Sequence, residues 1–205
     1  MTNISGNFST ANREVYAVKK ILNINNIAYQ SVTKYNKPDD GDVLVILADG
    51  RQFVVEVKEE DLPRFKKYGQ LGIDFISAFQ YINPASAAVW KGVKSGSANV
   101  KNFLASVDMT NNYKGGKIYY SKSDLWLFFV MDNKNNFFYY DFFDGQFMTS
   151  QAFKNYLFTN CQFAVNNKPF WQMSNSDNYN SAVFYIDHND ATLNANKVDI
   201  TAYCI

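Results

Sequence analysis

The pattern of hydrophobic and polar positions predicts a helix followed by a strand at the start of the chain. Ser9 or Thr10 is suited to cap a helix that ends near Asn25. Apolar side chains recur at helical spacing within it and form one stripe, at Ala11, Val15, Val18 and Leu22. A short strand is predicted next, over Ile27 to Val32.

A β-hairpin rich in β-branched residues follows. Its arms run from Val43 to Leu47 and from Gln52 to Lys58, and Ala48 to Arg51 turn the chain, because Gly50 tolerates a positive φ. The first arm is apolar on both faces, which is typical of a strand covered by helices on two sides. The pattern therefore predicts an α/β domain with a mixed central sheet flanked by helices.

The rest of the chain predicts mainly strands. We expect a charged turn over Glu59 to Lys67 and a strand over Leu71 to Ile82, for which a helix is the alternative. A hairpin is predicted from Leu125 to Met131 and Asn136 to Phe143. A short helix over Gln151 to Phe158 and a late strand over Ala182 to Ile186 complete the predictions.

Composition favours a globular chain of one domain with at most a small appendage. Of 205 residues, 47% are hydrophobic and 19% are charged, which is enough apolar surface to offset the entropy of the chain. No apolar run is long enough to span a bilayer, and the polar start is unlike a leader peptide. Cys161 and Cys204 lack the spacing of a zinc site and are expected to be free thiols. These observations predict a soluble, cytoplasmic protein with no membrane partner.

Net charge is only +1, but lysines are concentrated in one segment, residues 91–122. It holds one acid, Asp108, against six lysines at positions 91, 94, 101, 114, 117 and 122. Either a phosphate-facing surface or a solvated loop accounts equally well for this excess. If it contacts nucleic acid, Lys117 and Lys122 are the candidate residues.

Glu56 and Lys58 form an unusual pair near the end of the second hairpin arm. They are two residues apart, so both side chains project from one face of the strand, while Phe53, Val55 and Val57 occupy the other. Burying a carboxylate and an ammonium is costly unless they pair with each other or a metal ion compensates. The position of this pair therefore indicates a site with chemistry.

The hairpin returns a second carboxylate, Asp42, to the same end. A two-residue turn would place Asp42 opposite Val57 and on the wrong face. A loop with an odd number of residues, or a bulge, is needed to bring Asp42 to the correct face, and the stretch Ala48 to Arg51 can supply either.

Two carboxylates and a lysine suit metal-assisted phosphodiester hydrolysis. Mg²⁺ prefers oxygen ligands, and Mn²⁺ is expected to substitute for it; the candidate ligands are Asp42, Glu56 and the backbone carbonyl of Val57. Lys58 would orient the attacking water and stabilise the developing charge.

Asp42, the hairpin and Glu56-Val57-Lys58 together resemble the PD-(D/E)xK signature of restriction-endonuclease-like nucleases. The similarity continues through Gly69-Gln70, Ile73-Asp74 and the run from Ser121 to Trp126. The chain departs from the pattern where Gly41 replaces the preceding proline, Gln70 an asparagine and Asp74 a glutamate.

The resemblance implies a nuclease core over residues 1–150, with residues 151–205 as a C-terminal extension packed on the same domain. It also implies a Mg²⁺-dependent deoxyribonuclease, an endonuclease rather than an exonuclease, that leaves a 5′-phosphate on DNA and that works as a homodimer if it cuts duplex. Many members place an extra acid on the first helix, and Glu14 is the candidate here; a first-turn glutamate favoured by the helix dipole is the alternative. Gln70 and Asp74 would contact the substrate or the metal shell, unless their roles are structural.

Two other functions fit the same residues. One is a catalytically inactive DNA-binding protein of the same fold, and the other is a protein-binding inhibitory factor that docks through an aromatic surface. His188 is assigned no catalytic role, because a single histidine in an asparagine-rich loop is expected to be exposed to solvent.

Overall fold

The structure, a computed structural model, describes residues 10–35, 41–79, 113–163 and 182–205. The described residues form two compact units that alternate along the chain. The first comprises those up to Gly69, those from Ser121 to Met148 and those from His188 to Ile205. The second comprises those from Gln70 to Tyr120 and from Thr149 to Asp187, so the chain enters and leaves it twice.

A six-stranded mixed sheet forms the centre of the first unit. Its strand order is β1, β2, β3, β6, β7, β10, and β3 and β6 are the parallel neighbours among antiparallel ones. The strands are β1 (Tyr29–Lys34), β2 (Val43–Leu47), β3 (Gln52–Glu59), β6 (Leu125–Met131), β7 (Phe137–Asp144) and β10 (Lys197–Val198). The predicted mixed sheet flanked by helices is confirmed at this level.

Helix α1 (Thr10–Ile24) covers one face of this sheet, where the stripe pattern predicts a helix. Its Ala17, Val18, Ile21 and Leu22 are fully buried against alternate residues of the central strands, including Val55 and Leu127. Burying each of the larger side chains contributes about 1.5–3 kcal/mol, so packing on this face holds the helix in place.

The loop between β2 and β3 has an odd number of residues, which is what Asp42 needs to reach the face that carries Glu56. Val43 lies opposite Val55, and the Leu47 N–H donates to the Arg51 carbonyl oxygen (2.8 Å), which leaves three residues, Ala48 to Gly50, in the loop. Gly50 has φ +89°. Continued by one residue, this register brings Asp42 opposite Glu56 rather than Val57.

Strand β6 is buried along its whole length, because both of its faces are covered. Asp124, which precedes β6, fixes its start against β3. Its carboxylate accepts from the Val54 N–H (2.7 Å), and its own N–H donates to the Val54 carbonyl (3.0 Å). The strand can therefore enter the sheet only in the register that places Trp126 beside Glu56.

The charged turn predicted over Glu59 to Lys67 is wrong in part, since β3 continues to Glu59 and a short helix, α2 (Leu62–Tyr68), follows. The Asp61 carboxylate caps it by accepting from the Arg64 N–H (2.9 Å), and Gly69 ends it at φ +61°. Its buried Phe65 packs against Tyr139. The capping signals are present in the sequence, but the helix is only 7 residues long and shows little periodicity.

His188 is half-buried rather than exposed, which corrects the expectation from its polar neighbours. Its ring lies 5.1 Å from Phe65 and 5.5 Å from Tyr139 between centroids, and its Nδ1 donates to the Gly69 carbonyl oxygen (2.8 Å). These contacts hold the end of α2, which gives His188 a structural role.

The end of the chain completes the first unit. Short helices α5 (Ala191–Asn194) and α6 (Ile200–Cys204) flank β10, and α3 (Gly145–Thr149) follows β7. Tyr203 packs edge-on against Phe53 with ring centroids 5.3 Å apart. The last part of the predicted C-terminal extension, His188 to Ile205, thus belongs to the first unit.

The second unit contains a four-stranded antiparallel sheet in the order β5, β4, β9, β8. Its elements are β4 (Gln70–Phe79), β5 (Tyr113–Gly115), a 3₁₀ helix (Lys117–Tyr119), α4 (Gln151–Asn160), β8 (Gln162–Phe163) and β9 (Ala182–Asp187). Phe75 meets Tyr119, Phe158 and Phe184 edge-on, with centroids 4.8–5.1 Å apart. The strands predicted around Leu71 and Ala182 and the helix from Gln151 are confirmed.

The structure describes only part of the lysine-rich segment, whereas the expectation of two free thiols is confirmed. Most of the lysine-rich segment, including positions 91, 94 and 101, lies outside the described residues. Cys161 and Cys204 are both free thiols. Within the described ranges, no helix is long and apolar enough to cross a membrane.

Candidate active site

Glu56 and Lys58 form an ion pair on the face of β3 that points away from α1. Lys58 Nζ lies 3.1 Å from Glu56 Oε1, the Glu56 side chain is 0% exposed, and that of Lys58 is 20% exposed. As the spacing predicts, Phe53, Val55 and Val57 lie in the core on the other face. The lysine therefore offsets part of the cost of burying the carboxylate, while a fraction of its own surface stays accessible.

Asp42 is joined to the same segment by a backbone hydrogen bond. Its Oδ2 accepts from the Val57 N–H (2.9 Å), and its own N–H donates to the Val55 carbonyl (2.9 Å). Because a carboxylate has lone pairs on both oxygens, this bond orients the group and leaves acceptor capacity for a further ligand. The structure thus brings Asp42 to the strand that carries Glu56 and Lys58.

Gly41 lets the chain reach this arrangement. Its φ is +125°, and a β-carbon built on it would lie 2.6 Å from both Ser123 Oγ and Val54 Cγ1. Proline, whose ring fixes φ near −65°, cannot adopt this conformation. The departure from the expected Pro-Asp pair therefore has a local physical cause, and Ser123 and Val54 are the side chains that take up the space.

Glu14 on α1 lies within electrostatic reach of these groups. The adjacent Arg13 pairs with Glu59 at the end of β3 (2.6 Å), so the start of the helix is tied to the strand. Burial, together with the negative charges of Asp42 and Glu56, raises the pKa of Glu14 to about 7, against the lowering effect of Lys34 and Lys58. A carboxyl group with this pKa can gain or lose a proton near neutral pH.

The alternative explanation for Glu14, a favourable interaction with the helix dipole, loses support. The helix begins at Thr10, and its first turn contains no acidic residue. Because the dipole effect is confined to the first turn, Glu14 lies beyond its main range.

Lys34 is a residue that the sequence analysis did not single out. It ends β1 opposite Val43, the residue after Asp42, and the neighbouring Tyr35 N–H donates to the Asp42 carbonyl (2.8 Å). Its side chain is exposed, and its charge lowers the pKa of Glu14. In the sequence, only the position of Lys34 at the end of a strand, next to the Asp42 segment, could have indicated that its charge acts on Glu14.

Trp126 lies beside Glu56 in the parallel register of β3 and β6. The side chain is 1% exposed, and among the described residues none accepts a hydrogen bond from its indole N–H. A buried donor without an acceptor costs about 1–3 kcal/mol. Glu56 therefore has a largely apolar neighbour that also carries a hydrogen-bond donor.

The four residues expected to contact the substrate are divided between the units. Gln70, Asp74 and Lys117 belong to the second unit, and all three are half-buried. Lys122 belongs to the first unit, where it is exposed two residues before Asp124. Their substrate contacts stay a prediction.

The donor atoms around Asp42 fit the requirements of Mg²⁺. Within the described residues, no three histidine, cysteine, aspartate or glutamate side chains converge closely enough to form a metal cluster. Mg²⁺, however, binds through one or two carboxylates and keeps several waters. The carboxylates of Asp42 and Glu56 meet that need. The Val57 carbonyl adds a third oxygen. The N–H and C=O of one strand residue point to the same edge of the strand, and the Val57 N–H donates to Asp42.

The electrostatics also fit a divalent cation. Three acids, Glu14, Asp42 and Glu56, are opposed by two lysines, and the repulsion between the acids contributes to the raised pKa of Glu14. A bound cation near Asp42 and Glu56 would offset this excess of negative charge.

Comparison of the chain with protein-family models, curated proteins and solved structures finds no match. The functional interpretation therefore depends on the geometry and charge of the site itself.

Gly41→Ala is expected to destabilise the fold far more than Gly50→Ala. Both substitutions carry the strain of a positive φ, about 1–2 kcal/mol, but a β-carbon at Gly50 would meet nothing within 4 Å. The clash at Gly41 should add about 1–3 kcal/mol. Urea denaturation of the two variants measures the difference, and equal losses would contradict the close approach of Ser123.

Glu14→Gln is expected to stabilise the protein increasingly as the pH rises above 4.5, with the full gain reached somewhat above pH 7. Because the pKa of Glu14 is 4.5 in the unfolded chain and about 7 in the fold, the native state binds more protons between these values. Stability is therefore lost as the pH rises from 4.5 through about 7, and glutamine removes that loss.

Urea midpoints at about pH 5 and about pH 8, with a chelator present, test this dependence. Asp49→Asn is the control, because hydrogen bonds from Arg51 lower the pKa of Asp49 and keep it charged at both pH values. A gain from Glu14→Gln of the same size at both pH values would contradict the burial of Glu14.

Proposed function

We propose that the protein is a Mg²⁺-dependent deoxyribonuclease with a restriction-endonuclease-like core, acting as an endonuclease. One observation carries the proposal: the Val57 N–H holds the Asp42 carboxylate on the strand segment that also carries the buried Glu56 and its ion-pair partner Lys58. The mixed sheet flanked by helices supports it, because this is the architecture that the resemblance implies.

The side chains have complementary roles in hydrolysis. When bound at Asp42, Glu56 and the Val57 carbonyl, Mg²⁺ would supply charge neutralisation at the phosphate and activation of water. Lys58, held by Glu56 at 3.1 Å and partly accessible, would orient the attacking water and stabilise negative charge on the phosphate oxygens. Glu14, with its pKa near 7, would accept the proton that the water loses.

The bond changes follow from these roles. The water oxygen forms a bond to phosphorus, the bond from phosphorus to the 3′ oxygen breaks, and the 3′ oxygen leaves as a hydroxyl after taking up a proton from solvent water. The phosphate stays on the 5′ oxygen of the downstream nucleotide. The attacking water's proton passes to the Glu14 carboxylate and from there to solvent, so the net reaction consumes one water molecule and charge balances.

Asp42→Asn is expected to abolish Mg²⁺-dependent cleavage of DNA while preserving the fold. Asparagine can still accept the Val57 N–H, but it lacks the negative charge needed at the metal, so activity should fall by about 10²-fold or more. Asp49→Asn, on the exposed loop of the same hairpin, is the matched control and should retain full activity.

Labelled linear duplex, junction and single-stranded DNA should be incubated with each protein, with Mg²⁺ and with chelator. Thermal unfolding checks that Asp42→Asn is folded. Cleavage by Asp42→Asn equal to that of the control would overturn the assignment. Tight DNA binding by the unaltered protein, with no cleavage of any substrate, would favour a catalytically inactive binding protein.

A further inference from the structure

The outer side of α1 and the start of β1 enclose an open groove of about 510 Å³ in the first unit. We call it the α1–β1 groove; it is lined by Tyr16, Lys19, Lys20, Asn23, Ile24 and Tyr29. Tyr16 is 41% exposed and Ile24 is 53% exposed, so both are accessible to a ligand. None of these residues belongs to the candidate active site.

The lining combines aromatic rings with positive charge. It includes two phenol rings, one amide and two ammonium groups, and none of the lining residues is acidic. Lys20 Nζ donates to the Asn135 carbonyl oxygen and lies 5.9 Å from the centre of the Tyr16 ring. Lys19 and Asn23 are exposed. One charge is therefore held beside a ring, and a second is accessible to a ligand.

This chemistry suits a single-stranded nucleic acid. Grooves that bind single strands pair cationic groups for the phosphates with aromatic rings on which bases stack. A second copy of the chain is a poorer occupant. In a two-fold interface the same patch meets itself, so Lys19 and Lys20 of both copies would face each other.

The groove also lies at a useful distance from the candidate active site. Helix α1 runs away from Glu14 and β1 runs back to Lys34. At 1.5 Å per helical residue and 3.3 Å per strand residue, the groove residues lie roughly 3–17 Å along these elements from those two ends, and Tyr16 is the nearest. With about 3.4 Å of axial length per stacked nucleotide, this corresponds to about one to five nucleotides. The exposed Lys34 ammonium lies at the active-site end of that path.

We propose that the α1–β1 groove binds an unpaired DNA segment within about five nucleotides of the cleaved bond. A base would stack on the Tyr16 ring, and Lys19 would contact a phosphate. Stacking needs the face of a base, which is covered within a duplex, so the preferred substrate is DNA with a single-stranded segment. This substrate class depends on the proposed nuclease function, whereas binding in the groove is measurable without it.

The test compares groove variants with matched variants elsewhere in the full-length protein. Tyr16→Ala, Tyr16→Leu and Lys19→Gln alter the groove. Tyr68→Ala and Lys67→Gln are the controls, because α2 carries an exposed tyrosine and lysine in a similar relation, with Lys67 Nζ 4.8 Å from the Tyr68 ring centre. Thermal unfolding establishes that each variant is folded.

Binding is measured in chelator by fluorescence anisotropy of a labelled single-stranded oligonucleotide, a blunt duplex and a duplex with a single-stranded overhang. We expect both DNAs with single-stranded segments to bind more tightly than the blunt duplex. Tyr16→Ala and Tyr16→Leu should each weaken their binding by about fivefold to a hundredfold, as expected for one stacked base. Lys19→Gln should reduce the slope of log affinity against log salt by about 0.7, as expected for one phosphate contact.

Equal affinities for the groove variants and their controls would overturn the proposal, as would equal binding of blunt duplex. A change from dimer to monomer caused by Tyr16→Ala, seen by gel filtration, would also overturn it and identify the groove as a subunit interface.

Cleavage in Mg²⁺, followed in parallel, separates the two proposals. Groove-dependent binding without cleavage of any DNA would remove the nuclease function and leave the groove as a binding site. Cleavage that is unaffected by the groove variants would remove the proposed substrate site in the groove and leave the nuclease function.

Discussion

The hydrogen bond from the Val57 N–H to the Asp42 carboxylate is the constraint on which the candidate site depends. It exists because the three-residue loop sets the hairpin register and because Gly41, at φ +125°, turns the chain into β2 beside Ser123. A change of one residue in the loop would move the returning arm to its other face and separate the carboxylate from Glu56 and Lys58. Backbone geometry at Gly41 and in the loop that contains Gly50 thus controls whether Asp42 reaches the strand that carries Glu56 and Lys58.

Most of the first unit can be predicted because its patterns are local. The stripe on α1, the alternation in β3 and the two-sided burial of β6 each reflect the environment of a single element. The number of residues in the β2–β3 loop, which decides the face on which Asp42 lies, is likewise set within a short segment. For the same reason the sequence locates Asp42, Glu56 and Lys58 together, since one hairpin connects them.

The features that sequence reasoning missed depend on contacts between distant segments. Helix α2 is stabilised by packing of Phe65 on Tyr139 rather than by periodicity. Lys34 gains its position from the pairing of β1 with β2, and the pairing of β4 with β9 joins residues more than a hundred positions apart. The pKa of Glu14 arises from burial and from charges on other elements, so its spacing on the helix cannot reveal it.

Stability alone is a weak explanation for the Glu56–Lys58 pair. Replacing a buried ion pair with apolar residues of similar volume is often neutral or stabilising, and β6, directly beside the pair, is apolar along its whole length. The neighbouring strand could therefore accommodate such residues. Instead, the sequence retains two charges, a second acid fixed by the backbone and a third acid on α1. The proposed metal ion with a bound phosphate would interact with all of these groups, and that interaction would offset their cost to folding.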